Sequence, residues 1–62
     1  MRSSGAVTPT DWRLYACDHV RGEDYLDSWG PEEEARRSLA SEAARGRDVW
    51  LVSPEGKKVL PS

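Results

Sequence analysis

Between Trp29 and Val59 the chain punctuates itself, and that stretch limits its fold more than any other feature. Gly30-Pro31 opens a helix, Gly46 closes it, and Ser53-Pro54-Glu55-Gly56 turns the last segment back on itself. Pro suits the first helical position, because the N–H it lacks would have no intrahelical partner there, and Gly30 before it suits the N-cap. Glu32, Glu33 and Glu34 sit at the positive end of the helix dipole, and Arg45 at the negative end, with Arg47 just past it. Glu32 and Arg36, like Glu33 and Arg37, are spaced i,i+4 in the favourable order, worth about 0.2–0.5 kcal/mol each. Ala35, Leu39 and Ala43 form the inward stripe, with Ala40 and Ala44 beside it. A stripe of such small residues lets the helix lie close to a sheet.

Val49 to Val52 is apolar on both faces, as a central strand should be. Ser53, Pro54 and Gly56 match the first, second and left-handed positions of a type I turn with a glycine bulge, which joins the strands of a short hairpin. The outgoing strand, Lys57 to Leu60, carries two lysines and stops at Pro61, features that protect an exposed edge.

Ahead of the helix, Asp11 to Asp18 alternates. Trp12, Leu14 and Ala16 fall on one face and Arg13, Tyr15 and Cys17 on the other, which is the period of a strand. His19 to Glu23 suits a turn, and Tyr25 to Ser28 a short returning strand. The expected fold is therefore α+β: a four-stranded antiparallel sheet, β-β-α-β-β, in spatial order 2-1-3-4, with one helix packed on one face. Strand two beside strand three in parallel is the alternative pairing. Residues 1–10, rich in Ser, Gly, Thr and Pro, are expected to form a flexible N-terminal tail before a single domain at 11–60.

With 62 residues the chain makes one domain with a thin core. Such domains usually lean on disulfides, a metal or a partner chain. Cys17 is the only cysteine, so no internal bridge forms. The net charge of −2 is mixed along the chain, with no polybasic arm, no apolar run long enough for a bilayer and no signal-peptide pattern. The default location is the cytoplasm. Seven Arg against two Lys, with frequent Ala, suggests a GC-rich bacterial genome.

Cys17 and His19 lie two apart, so on a strand they project from one face, where a thiolate and an imidazole could share a zinc ion. A structural zinc site takes four ligands, and a catalytic one takes three plus water. The sequence holds no other Cys or His, so carboxylates such as Asp24 or another chain would have to complete the set. On this count no metal site and no cofactor are expected. The same pair as a nucleophilic dyad would need a third orienting group and a pocket, for which a domain this small has little room. A redox-linked disulfide between chains through Cys17 is weakly motivated in a reducing cytosol. Glu32, Glu33 and Glu34 point in three directions on a helix and cannot converge on one cation, and no phosphate-cradling glycine run occurs. The expectation is a non-enzymatic protein.

Five large rings remain: Trp12, Trp29, Trp50, Tyr15 and Tyr25. One helix covers only one face of a sheet, yet the strands supply apolar residues to both. The helix-free face is thus expected to be a contact surface for a second copy or another protein, through Tyr15, Trp50 and Val52 with Arg13 at the rim. The alternative is nucleic acid stacked on the sheet rings beside Arg13, Lys57 and Lys58. A pI near 5.2 counts against it.

Overall fold

The computed structural model describes residues 1–61. Strand β1 spans Trp12–Asp18, β2 Glu23–Gly30, helix α1 Glu32–Ala44, β3 Val49–Val52 and β4 Lys58–Val59. The sheet order is β2-β1-β3-β4, and every neighbouring pair is antiparallel. The expected α+β architecture and strand order are those observed. Because β2 and β3 both oppose β1, they run parallel to each other on either side of it, and α1 links them by crossing over β1. No helix among the described residues is long and apolar enough to cross a membrane.

The core lies between α1 and one sheet face. Leu14 and Ala16 of β1 and Val49 and Leu51 of β3 meet Ala35 and Leu39 of the helix, with Met1, Trp12, Ala43 and Val59 packed at the margin. Ala and Leu alternate across this contact, so the helix sits low on the sheet. Ala40 and Ala44, expected beside the inward stripe, are exposed, while Ser38 and Glu42 turn partly inward. The register of the buried face, set by Ala35 and Leu39, runs along the i+3/i+4 line toward Ser38 and Glu42 and leaves Ala40 and Ala44 on the solvent side.

Pro31, with extended backbone, is the N-cap itself rather than the first helical residue, because β2 continues through Gly30. Its carbonyl accepts the first helical bond from the Ala35 N–H at 2.9 Å. The far end closes as a Schellman motif: the Gly46 N–H donates to Ala43 at 3.0 Å, the Arg47 N–H donates to Glu42 at 3.2 Å, and Gly46 takes φ +84°. Both i,i+4 pairs form, Arg36 to Glu32 at 2.8 Å and Arg37 to Glu33 at 3.0 Å.

The final hairpin follows its sequence closely. The Gly56 N–H donates to the Ser53 carbonyl at 2.9 Å, the Ser53 N–H to the Lys57 carbonyl at 2.9 Å, and the Lys57 N–H to the Ser53 hydroxyl at 3.0 Å. Gly56 has φ +89°, a conformation that costs a residue with a Cβ about 1–2 kcal/mol. Nothing crowds the position, so the cost is purely backbone. Gly56→Ala is expected to lower the unfolding free energy by about 1 kcal/mol in a urea titration without altering the far-ultraviolet circular dichroism. An unchanged midpoint would show that the turn relaxes to another form.

Strand β2 holds the main departure from the sequence reading. It is longer than residues 25–28, and a bulge breaks its register with β1: Leu14 pairs with Ser28 but Tyr15 pairs with Leu26, which leaves Asp27 as the extra residue. Ser28, opposite Leu14, and, across the bulge, Tyr25, opposite Ala16, both face the helix layer. There Arg47 donates to the Tyr25 hydroxyl at 2.7 Å, reaches Asp27 at 3.5 Å and pairs with Glu42. The Arg47 hydrogen bond holds the Glu42 carboxyl below the usual carboxylate range, and Glu42 in turn holds Arg47 protonated.

Residues 1–10 meet the domain at two places. The Arg2 and Trp29 backbones exchange paired hydrogen bonds of 2.9 Å along the free edge of β2. The Asp11 carboxylate accepts the Thr8 N–H at 2.9 Å and pairs with Arg2 at 3.2 Å. The Thr8 N–H, joined by Arg2, draws the Asp11 pKa below its ordinary value.

Candidate functional site

The helix-free face of the sheet is the surface on which the expected site residues fall. Cross-strand partners share a face. Arg13 stands opposite Val52 on β3 and Trp29 on β2, and Tyr15 opposite Trp50 and Leu26. Lys58 stands opposite Val52. Arg13, Tyr15, Trp50 and Val52 are therefore brought together, and all four are half-buried. The Tyr15 and Trp50 rings stack with centroids 6.2 Å apart and planes 10° from parallel. The Lys58 ammonium lies 4.8 Å from the Trp50 ring centre, a cation–π distance. Trp50 thus sits between a ring and a cation in the middle of the face. Lys57 lies in the hairpin beyond, with its side chain exposed.

The five aromatic residues divide by location. Trp12 belongs to the helix side, where the Arg36 guanidinium lies 5.2 Å from its ring centre. Tyr25 is bound by Arg47 at the helix-side edge of β2. Trp29 is buried beside the paired Arg2 segment, and its indole N–H has no hydrogen-bond partner among the described residues. Trp29, opposite Arg13, lies on the helix-free side but is buried there, so Tyr15 and Trp50 are the half-buried rings that form its aromatic surface. The sequence could not sort them this way, because the Asp27 bulge reverses the alternation along β2 and because Arg2 pairs with a strand twenty-seven positions away.

Charge is unevenly spread along this face. Arg13 and Lys58 mark one end. At the other, Cys17 stands opposite Asp24, and Asp48 enters β3 beside it, its carbonyl accepting the Cys17 N–H at 3.0 Å. His19 Nε2 lies 3.8 Å from the Asp48 carboxylate. Partial burial, and then the negative charges of Asp24, Asp48 and Asp18, push the Cys17 thiol up from its ordinary value. A catalytic thiol needs the opposite shift, toward the thiolate. Asp48 is the member of this cluster that sequence reasoning missed. Nothing in its spacing, thirty-one positions from Cys17, marks it; only the β1–β3 pairing brings it in.

Two clefts flank these surfaces. One, of about 530 Å3, lies between α1 and the bulged part of β2 and is lined by Asp27, Ser28, Arg37, Ser38, Ser41 and Glu42 among others. Its principal charges already pair with neighbours: Glu42 and Asp27 with Arg47, and Arg37 with Glu33. The other, about 420 Å3, runs between Val7, Thr8, Pro9, Asp11 and Arg13 and ends at Pro54, next to the cationic end of the open face. Neither brings a nucleophile, a base and an orienting group together. Comparison with protein-family models, with curated proteins and with solved structures finds no match, so the functional reading rests on the residues of this chain.

Proposed function

We propose that the protein is a non-enzymatic interaction module, and that its helix-free sheet face docks onto a second copy of the chain. The observation that carries this is the stacked Tyr15–Trp50 pair at the centre of a sheet face that no helix covers. Aromatic anchors at the centre of a patch with a charged rim are the usual anatomy of protein contacts. The choice of a second copy rests on charge. A two-fold axis in the plane of the face lays the Arg13–Lys58 end of one copy over the Asp24–Asp48 end of the other, and stacks aromatic centre on aromatic centre. Such a contact matches opposite charges twice.

The face is small. Four strands about 4.8 Å apart give a width of roughly 19 Å. With β1 seven residues long, about 23 Å at ~3.3 Å per residue, the face is on the order of 440 Å2, less than the ~800 Å2 per partner of a stable interface, and it implies a weak, reversible dimer with a Kd on the order of tens of micromolar. Lys58 over Trp50, with Arg13 nearby, also favours a base-stacking platform for single-stranded nucleic acid, but the acidic end of the same face repels phosphate.

Concentration-dependent amide and indole NMR shifts test the reading. Arg13, Tyr15, Trp50 and Val52 are expected to move together on raising the concentration, with Ala40 and Ala44 on the exposed helix face unmoved. Added salt should reduce the change, since the paired ends are screened. Shifts confined to the helix, or a response to oligonucleotide and not to concentration, would overturn it.

A further inference from the structure

We propose that Cys17, His19 and Asp48 form a zinc-binding site at the acidic end of the sheet. The Sγ of Cys17, a ring nitrogen of His19 and a carboxylate oxygen of Asp48 all lie within 4.8 Å of one another. These are the three donor types that zinc accepts, one of each. Counting ligands along the sequence leaves the site incomplete at Cys17 and His19; the β1–β3 pairing supplies the third.

The backbone holds the donors in place. Cys17 lies at the end of β1 and His19 opens the turn that follows, which brings their donor atoms together. The turn after them is fixed by Asp18, whose carboxylate accepts the N–H groups of Val20 at 3.0 Å and Arg21 at 3.3 Å, and whose carbonyl accepts that of Gly22 at 2.6 Å. Asp18 is thereby occupied in the turn. Asp48 is pinned by the Cys17 N–H bond to its carbonyl. A tetrahedral zinc with bonds of about 2.0–2.3 Å sets its ligand atoms roughly 3.2–3.6 Å apart. Closing from 4.8 Å takes roughly 1.2–1.6 Å of movement, within side-chain rotation for His19 and Asp48, whose side chains are 74% and 60% exposed. On binding, the Cys17 thiol gives its proton to solvent and the sulfur takes the metal. Asp24, the cross-strand partner of Cys17, stands ready as a fourth oxygen donor, and otherwise water fills that position. A thiolate with an imidazole and a carboxylate selects zinc or cobalt over the hard cations magnesium and calcium.

The site shares the acidic end of the face with the docking of two copies, so its test is run at low micromolar chain concentration, below the range of self-association, with a non-thiol reductant. Cobalt(II) is added to the intact chain and read by absorption. The expected result is one cobalt per chain, with a thiolate-to-cobalt charge-transfer band and the intense visible bands of a four-coordinate ion, both abolished by zinc. Cys17→Ser should remove the charge-transfer band. His19→Gln and Asp48→Asn should each weaken binding by at least about tenfold. Glu23→Gln removes a nearby negative charge from the other face of the sheet and should change affinity less than threefold. Loss of the charge-transfer band with Cys17→Ser but no effect of His19→Gln or Asp48→Asn would reduce the site to a lone thiol and overturn the proposal. So would equal weakening by Glu23→Gln, which would mark a diffuse acidic field, or one cobalt per two chains.

Discussion

Leu51→Ala is expected to lower the thermal midpoint by more than about 10 °C and to leave much of the population unfolded at 37 °C. Leu51 is fully buried at the centre of β3, between Leu14 and Val59 in the sheet and beneath Ala35 and Leu39 of the helix. Truncating a buried leucine costs about 2–5 kcal/mol, from lost transfer energy and from the cavity left behind. A domain of this length has a total stability of only about 3–9 kcal/mol. Leu14 and Leu39, the large neighbours, are themselves packed in the same buried cluster, so neither can fill the space without opening another. Each kcal/mol is worth about 4–8 °C in so small a domain. Ala40→Ser, on the exposed side of the helix, should shift the midpoint by no more than a few degrees. Circular dichroism melts of the two variants check the placement of the core, and a Leu51→Ala midpoint near that of the parent chain would contradict it.

Trp50→Thr is expected to weaken self-association by roughly 30-fold or more while leaving the monomer folded. Central aromatic residues of an interface commonly contribute at least about 2 kcal/mol to binding. Threonine is β-branched, which a central strand favours. The substitution removes the ring stacked on Tyr15 and the seat of the Lys58 cation together. Its effect on stability should be smaller than that of Leu51→Ala, because Trp50 is half-buried and lies outside the buried cluster. Retained helical circular dichroism with lost association is the expected pair of results. Unchanged association would remove Trp50 from the contact.

The parts of the fold that the sequence made legible are those governed by local rules. Gly46 and Gly56 announce left-handed turns, Glu32–Arg36 and Glu33–Arg37 announce a helix, and the alternation from Trp12 to Cys17 assigns each side chain to its face. The faces of β3 follow the same logic, so Tyr15 and Trp50 could be placed opposite the core from sequence alone. What stayed hidden depends on pairing between distant segments. The bulge at Asp27 leaves no composition signal, yet it turns Tyr25 toward Arg47 and thereby fastens the end of the helix to β2. Arg2 pairing with Trp29 is a single backbone bridge in a stretch of Ser, Gly and Thr with no strand pattern. Asp48 meets Cys17 and His19 only because β3 lies against β1 in one particular register. Local chemistry thus announced the elements and their faces, while the polar clusters arise from tertiary register.

The central claim is that two copies meet through the open sheet face, and sedimentation equilibrium of the intact chain tests it most directly. From about ten to several hundred micromolar at low salt, the account predicts a single monomer–dimer equilibrium, with a midpoint in the tens of micromolar that rises with salt. A strict monomer mass across that whole range, at both low and high salt, would contradict it.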